Sequence, residues 1–100
     1  MTEPVRVGVV GLGYWGPNLA RNFDRLPEAD LSWLCDSSDE AREHVKVQFP
    51  EARDTGSFDD LIADPKLDAV VIATHVPSHA DLAVQALEAG KHCFVEKPLA

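Results

Sequence analysis

Three glycines at a fixed spacing, Gly11, Gly13 and Gly16, most constrain the fold of this chain. They follow the apolar run of residues 5–10 and precede a segment with helical spacing, which predicts a strand, a tight turn and a helix in succession. The first glycine permits the turn, the second lets another group approach the backbone, and the third lets the helix pack closely on the strand. The free N–H groups at the start of such a helix predict an anion-binding turn.

The rest of the chain alternates apolar runs with segments of helical spacing. Ser37 with Glu40, and Ser57 with Asp60, predict the starts of the second and third helices, and Gly90 predicts the end of the fourth. The predicted strands cover residues 5–10, 31–35, 52–55, 67–73 and 92–95. This alternation predicts one α/β domain over residues 1–100, with a doubly wound parallel sheet of strand order 3-2-1-4-5.

An acidic residue at the end of the second strand extends the glycine motif. Asp36 follows Gly16 by twenty residues, where a carboxylate can accept hydrogen bonds from ribose hydroxyls and would repel a 2′-phosphate. The turn with Asp36 therefore predicts a dinucleotide site that favours NAD. NADP stays open, because Ser37, Ser38 and Arg42 could hold a 2′-phosphate if Asp36 turned away. S-adenosylmethionine is a lesser alternative.

Further candidate residues lie within the turn, beside Asp36, or after the fourth and fifth strands. Ligands of open parallel sheets bind outside the carboxyl ends of the strands. A lysine beside a carboxylate at that edge can hydrogen-bond a carbonyl, a hydroxyl or an amide. The candidates for cofactor binding, besides the three glycines and Asp36, are Tyr14, Trp15, Ser37, Glu96 and Lys97. Thr74 and His79 belong to the segment that follows the fourth strand.

Composition argues against several classes of function. With 17 acidic and 9 basic residues the net charge is −8, which disfavours binding to nucleic acid or to anionic membranes. No apolar run approaches the roughly 20 residues of a membrane span, and the first residues lack a secretory pattern, so we expect a cytoplasmic protein. Cys35 and Cys93 are expected to be buried, reduced thiols too far apart to bridge. The four histidines have no recognised metal-ligand spacing, so no metal is expected.

Three stretches together resemble the glucose–fructose oxidoreductase / inositol dehydrogenase (Gfo/Idh/MocA) family: residues 7–19, residues 68–74 with His79, and residues 89–100. The most specific element is Glu96-Lys97-Pro98. The resemblance implies NAD(P)-dependent oxidation or reduction of a hydroxyl on a sugar, a nucleotide-linked sugar or a cyclitol. It also implies that Lys97 is catalytic, contacting the nicotinamide side and the reacting hydroxyl, and that Thr74 and His79 line the cofactor.

The same resemblance implies a further part beyond these residues. Members continue past the Glu-Lys-Pro motif with another strand and an α/β substrate domain, so we expect residues 1–100 alone to be inactive or nearly so. An uncovered outer edge of the fifth strand predicts self-association. The alternatives are a non-catalytic nucleotide-sensing or interaction module and a fragment of a longer enzyme.

Overall fold

A computed structural model describes residues 4–13, 16–73 and 76–95, with side chains from residue 80 onward in the last range. Five strands alternate with four helices. In chain order the elements are β1 (Val5–Val10), α1 (Gly16–Arg25), β2 (Ala29–Cys35), α2 (Asp39–Lys46), β3 (Arg53–Thr55), α3 (Phe58–Ile62), β4 (Ala69–Ile72), α4 (Val76–Glu88) and β5 (His92–Val95). The order of elements is the predicted one, and Gly90 ends α4 with a positive φ of 80°.

The strands form one parallel sheet in the order β3-β2-β1-β4-β5, as predicted. The last residues of all five strands share one row of the sheet. That row runs across Thr55, Cys35, Val10, Ile72 and Val95. Because parallel strands end together, the residues that follow β1, β2 and β3 meet at one edge, which we call the carboxyl edge.

Helices cover both faces of the sheet. Val9 packs with Ala20 of α1 and Val45 of α2 in one buried cluster. Its neighbour Val10 packs on the opposite face with Leu61 of α3 and with residues of α4. The alternation of Val9 and Val10 shows how one apolar strand contributes to two cores, which is the doubly wound arrangement.

The start of α2 differs from the prediction by one residue. The N-cap is Ser38, whose Oγ accepts a hydrogen bond from the Ala41 amide, so Ser37 does not cap the helix. The reason is local: Asp36 Oδ1 accepts the Ser38 amide at 2.8 Å, a turn that holds Ser38 outside the helix.

The start of α3 also differs from the prediction. Ser57 occupies the N-cap position but makes no side-chain capping bond. Asp60, expected to complete that cap, instead accepts a hydrogen bond from the Thr55 hydroxyl at 3.1 Å. The Thr55 hydroxyl in turn accepts the Ser57 amide at 3.0 Å, so the buried end of β3 organises this helix start.

Both cysteines are free thiols, but they differ in burial. Cys35 is buried, whereas Cys93 is only partly buried, contrary to the expectation for that residue. Their strands are separated by β1 and β4, which places them roughly 14 Å apart across the sheet and rules out a bridge. Within the described residues, no helix is both long and apolar enough to span a membrane.

Candidate functional site

The glycine turn leaves β1 at the centre of the carboxyl edge. Gly11 has a φ of 93°, a conformation that side chains disfavour, and its amide donates to the Cys35 carbonyl at 2.8 Å. Gly16 lies so close to the turn that a Cβ there would overlap the Gly11 carbonyl oxygen. The absence of a side chain at Gly16 therefore lets the start of α1 lie against the turn at the end of β1. The first and third glycines are required by the fold itself.

Gly13 has a different environment. It is exposed, and a Cβ built on it would meet no described protein atom within 4 Å. Packing against the described residues therefore gives no reason for a glycine at this position. The space over Gly13 is what a ligand lying against the backbone would need.

Helix α1 begins at Gly16, against the Gly11 end of the turn. The first turn of the helix, residues 16–19, contains no acidic side chain. Its N–H groups and the positive end of its dipole are therefore not neutralised by the helix's own residues. An anionic group over the turn would be stabilised by both.

Asp36 lies beside the turn, at the end of β2, with a fixed orientation. Oδ2 accepts the Leu12 amide at 2.7 Å, and Oδ1 accepts the Ser38 amide at 2.8 Å. The Asp36 side chain is thus tied to the glycine turn on one side and to the start of α2 on the other. Each oxygen retains a lone pair, so this carboxylate can still accept hydrogen bonds from two hydroxyl groups.

The space over Gly13, the start of α1 and the oriented Asp36 carboxylate together fit a dinucleotide. The turn and the helix offer N–H groups to a pyrophosphate, and Asp36 offers acceptors to a ribose. The fit depends on two groups that the sheet brings together, because the carboxyl ends of β1 and β2 are adjacent.

Immediately before Asp36, Cys35 contributes a neutral group beneath the site. Burial, with the nearby Asp36 carboxylate as the second cause, raises the pKa of the Cys35 thiol to about 11. The thiol is therefore protonated at neutral pH and is a poor nucleophile or metal ligand.

Not all of the predicted site residues lie within the described structure. Gly11, Gly13, Gly16 and Asp36 are brought together, and Ser37 is exposed beside Asp36. Outside the described residues lie Tyr14, Trp15, Thr74, Glu96 and Lys97, and His79 is described only as part of the backbone of α4. Among the described side chains, no three potential metal ligands converge.

Sequence reasoning missed the partners of Arg42. Its guanidinium pairs with Asp39 one helical turn away and approaches Asp54 of β3, with 3.8 Å between Nη1 and Oδ2. The i, i+3 spacing could have indicated the first pair. The second pair depends on the lateral packing of α2 against β3, for which the sequence carries no signal.

Comparison with known proteins identifies the family of this chain and several relatives. Residues 5–100 match the family described as an oxidoreductase family with an NAD-binding Rossmann fold. Among curated proteins, the alpha-N-acetylgalactosaminidase of Shewanella oneidensis is 39% identical over 107 aligned residues, which cover 98% of this chain and 23% of that protein.

Solved structures share the fold closely. GenD2 from gentamicin A biosynthesis, in complex with NAD, has a TM-score of 0.91 and 35% identity, covering 100% of this chain and 28% of that one. Biliverdin reductase from Synechocystis, with biliverdin and NADP+, has a TM-score of 0.88 and 38% identity, covering 97% of this chain and 30% of that one. Scyllo-inositol dehydrogenase from Lactobacillus casei, with NAD(H) and scyllo-inositol, has a TM-score of 0.88 and 30% identity, covering 96% of this chain and 28% of that one.

The chain thus spans less than a third of the length of these relatives. The similarity is confined to one part of each of them.

Proposed function

The chain belongs to the oxidoreductase family with an NAD-binding Rossmann fold, and from this membership we propose that it binds the NAD of a dehydrogenase. The substrate we propose is a hydroxyl group on a sugar, a nucleotide-linked sugar or a cyclitol. A cyclitol dehydrogenase with bound NAD(H) and scyllo-inositol supports this class, at 30% identity over almost the whole chain.

The observation that carries the proposal is the orientation of Asp36 next to the glycine turn. The Leu12 and Ser38 amides hold its carboxylate at the carboxyl edge. The carboxylate is therefore an oriented acceptor for hydrogen bonds from the ribose hydroxyls. The turn from Gly11 to Gly13 and the start of α1 hold the pyrophosphate. The bound nicotinamide supplies a hydride donor or acceptor.

This orientation favours NAD over NADP. A 2′-phosphate would lie against the negative charge of Asp36, which two backbone amides hinder from turning away. NADP remains the alternative cofactor, since a reductase with NADP+ shares 38% of the sequence.

We propose that the residues after β4 and β5 form the nicotinamide end of the site. These strands end at Ile72 and Val95, in the same row of the sheet as Val10. Thr74 and His79 follow the first of them, and Glu96 and Lys97 follow the second. Lys97 is the proposed catalytic residue, contacting the reacting hydroxyl.

A second candidate function is favoured by the curated relative. The 39% identical alpha-N-acetylgalactosaminidase is a glycosidase, so the same nucleotide-binding part could serve a hydrolase acting on sugars. Assay of the gene product separates the two candidates. Net accumulation of NADH with a free sugar or cyclitol supports the dehydrogenase, whereas release of nitrophenol from a nitrophenyl glycoside without net NADH supports the glycosidase.

We further propose that turnover requires substrate-binding residues outside residues 1–100, because the relatives are more than three times as long. Residues 1–100 alone would then bind the dinucleotide without efficient turnover. They would also self-associate through the outer side of β5. A cytoplasmic location suits the two free thiols.

Isothermal titration calorimetry tests the proposal that the chain binds NAD+. Titration of NAD+, NADP+ and S-adenosylmethionine should show preferential binding of NAD+. Asp36→Ala should weaken NAD+ binding about 10- to 100-fold, the effect of losing hydrogen bonds to a charged acceptor. Asp30→Ala is the matched control, an exposed aspartate near the opposite end of β2. Folded protein that binds no NAD+, or equal losses in the two variants, would contradict the proposal.

A further inference from the structure

Arg42 is a cation close to the proposed ribose end of the site. Its guanidinium packs against Gly56, where a Cβ would lie 3.6 Å from the guanidinium carbon. Gly56 follows Thr55, whose carbonyl accepts the Asp36 amide at 3.2 Å. Arg42 therefore lies on the β3 side of Asp36, at the same carboxyl edge.

The charge of Arg42 is engaged by two carboxylates. Nη2 pairs with Asp39 and Nη1 lies 3.8 Å from Asp54 Oδ2. The Arg42 side chain is 18% exposed, and its Nε is buried with no hydrogen-bond partner among the described residues. Two carboxylates thus face one guanidinium, so this cluster carries a net negative formal charge even without Asp36.

Arginine is the side chain best suited to a 2′-phosphate, because its planar group can donate two parallel hydrogen bonds to phosphate oxygens. Here the guanidinium already faces two carboxylates. Arg42 would have to leave Asp39 and Asp54 to reach a phosphate, and the phosphate would then face three carboxylates. The Asp54 pair is partly buried, so breaking it leaves poorly compensated charges, whereas the Asp39 pair is largely exposed and weaker.

We propose that Asp39 and Asp54 withhold Arg42 from the adenosine ribose and, together with Asp36, exclude NADP. This inference rests on the proposed dinucleotide function and names two specificity-determining residues, neither of which touches the cofactor. Removing the Asp36 charge alone therefore does not change the cofactor specificity to NADP, because Arg42 remains paired with Asp39 and Asp54.

The test is isothermal titration of NAD+ and NADP+ into a series of variants, with circular dichroism to verify folding. Asp36→Ser should lose NAD+ affinity and gain little for NADP+. Adding Asp54→Asn should strengthen NADP+ binding about 10-fold or more over Asp36→Ser, the effect of one charge-assisted hydrogen bond. A further Arg42→Gln should abolish the gain.

The matched control is Asp36→Ser with Asp59→Asn. Asp59 is an exposed aspartate in the first turn of α3, so this pair has the same net charge as the test pair. If Asp54→Asn does not fold, Asp39→Asn tests the other carboxylate, and its gain in NADP+ affinity should be smaller because the Asp39 side chain is 82% exposed. A gain confined to the variants that release Arg42 supports the inference.

Two outcomes overturn the inference, and they are distinguishable. Equal NADP+ affinity in the test and control pairs, with wild-type protein that binds NAD+, overturns the role of Asp39 and Asp54 alone. Folded wild-type protein that binds neither NAD+ nor NADP+ overturns the proposed function and the inference with it.

Discussion

Two glycines of the same motif have different surroundings in this chain. Gly16 is required for packing, because any side chain there would overlap the Gly11 carbonyl. A Cβ on Gly13 would meet no atom of the described residues within 4 Å, which is consistent with the proposed position of the pyrophosphate. The motif thus combines a residue that the fold needs with one that we propose is needed for binding.

Substitution of each glycine by alanine separates these roles. Gly16→Ala should destabilise the fold by about 1–3 kcal/mol, the usual cost of overpacking, and weaken NAD+ binding as well. Gly13→Ala should keep the wild-type melting temperature and lose NAD+ affinity at least about 10-fold, because a methyl group occupies the space over the turn. Thermal denaturation and titration measure the two effects. Gly13→Ala protein that binds NAD+ normally would contradict the proposed position of the pyrophosphate.

The Cys35 thiol predicts a loss of stability at alkaline pH. Its pKa is raised to about 11 in the folded chain from an ordinary value of 9.0. The unfolded chain therefore releases this proton first as pH rises. Between about pH 9 and pH 11 the free energy of unfolding should fall by up to about 3 kcal/mol from this group. Urea unfolding at several pH values measures it, with Cys35→Ala as the reference. Parallel pH profiles for the two proteins would refute the assignment.

At the scale of elements, the loop from β2 to α2 links the sheet to the site. One carboxylate, Asp36, closes the turn before α2 and also holds the Leu12 amide of the glycine turn. Ser38 then caps the helix by accepting the Ala41 amide at 3.2 Å. The start of α2 is thereby coupled to the position of the acid that we propose contacts the ribose.

Adjacent serines at this helix start provide a matched pair. Ser38→Ala should lower the free energy of unfolding by about 1 kcal/mol, because the Ala41 amide loses its acceptor. Ser37→Ala should change stability by less than about 0.5 kcal/mol, because Ser37 is exposed and does not cap the helix. Chemical denaturation measures both. A larger loss from Ser37→Ala would restore the capping box predicted from the sequence.

At the scale of the whole molecule, apolar side chains are exposed near one end of the sheet. Phe94 of β5 is 57% exposed, and Leu87 and Val84 of α4 are 61% and 52% exposed. Within the described residues, β5 pairs with β4 on one side and leaves its other edge open. An open strand edge with apolar neighbours favours association.

Residues 1–100 should therefore self-associate in a concentration-dependent manner. Phe94→Ser should shift the population toward monomer, because it removes a large apolar side chain from the exposed strand. Val47→Ser is the control, since Val47 is 82% exposed at the end of α2. Size-exclusion chromatography with light scattering measures the mass. A monomer at all concentrations for the wild-type protein would contradict the prediction.

Much of the fold could be predicted because its signals are local. The run of Val5–Val10, the glycine turn and Gly90 each act within a few residues, and the alternation of strands and helices favours one parallel order. The position of Asp36 at the site followed from the same reasoning. The helix starts at Ser38 and Ser57 were predicted less well, because the neighbouring side chains of Asp36 and Thr55 accept the backbone amides of these two serines.

By itself, the amino-acid sequence determined the strand order, the glycine turn and the acid beside it, because each depends on residue type at short spacing. Only the tertiary structure decided how that acid is held and what surrounds Arg42. Those contacts join Leu12 to Asp36 and Arg42 to Asp54, residues from separate elements. The lateral packing of the sheet and helices brings such residues together, and no local pattern in the chain encodes it.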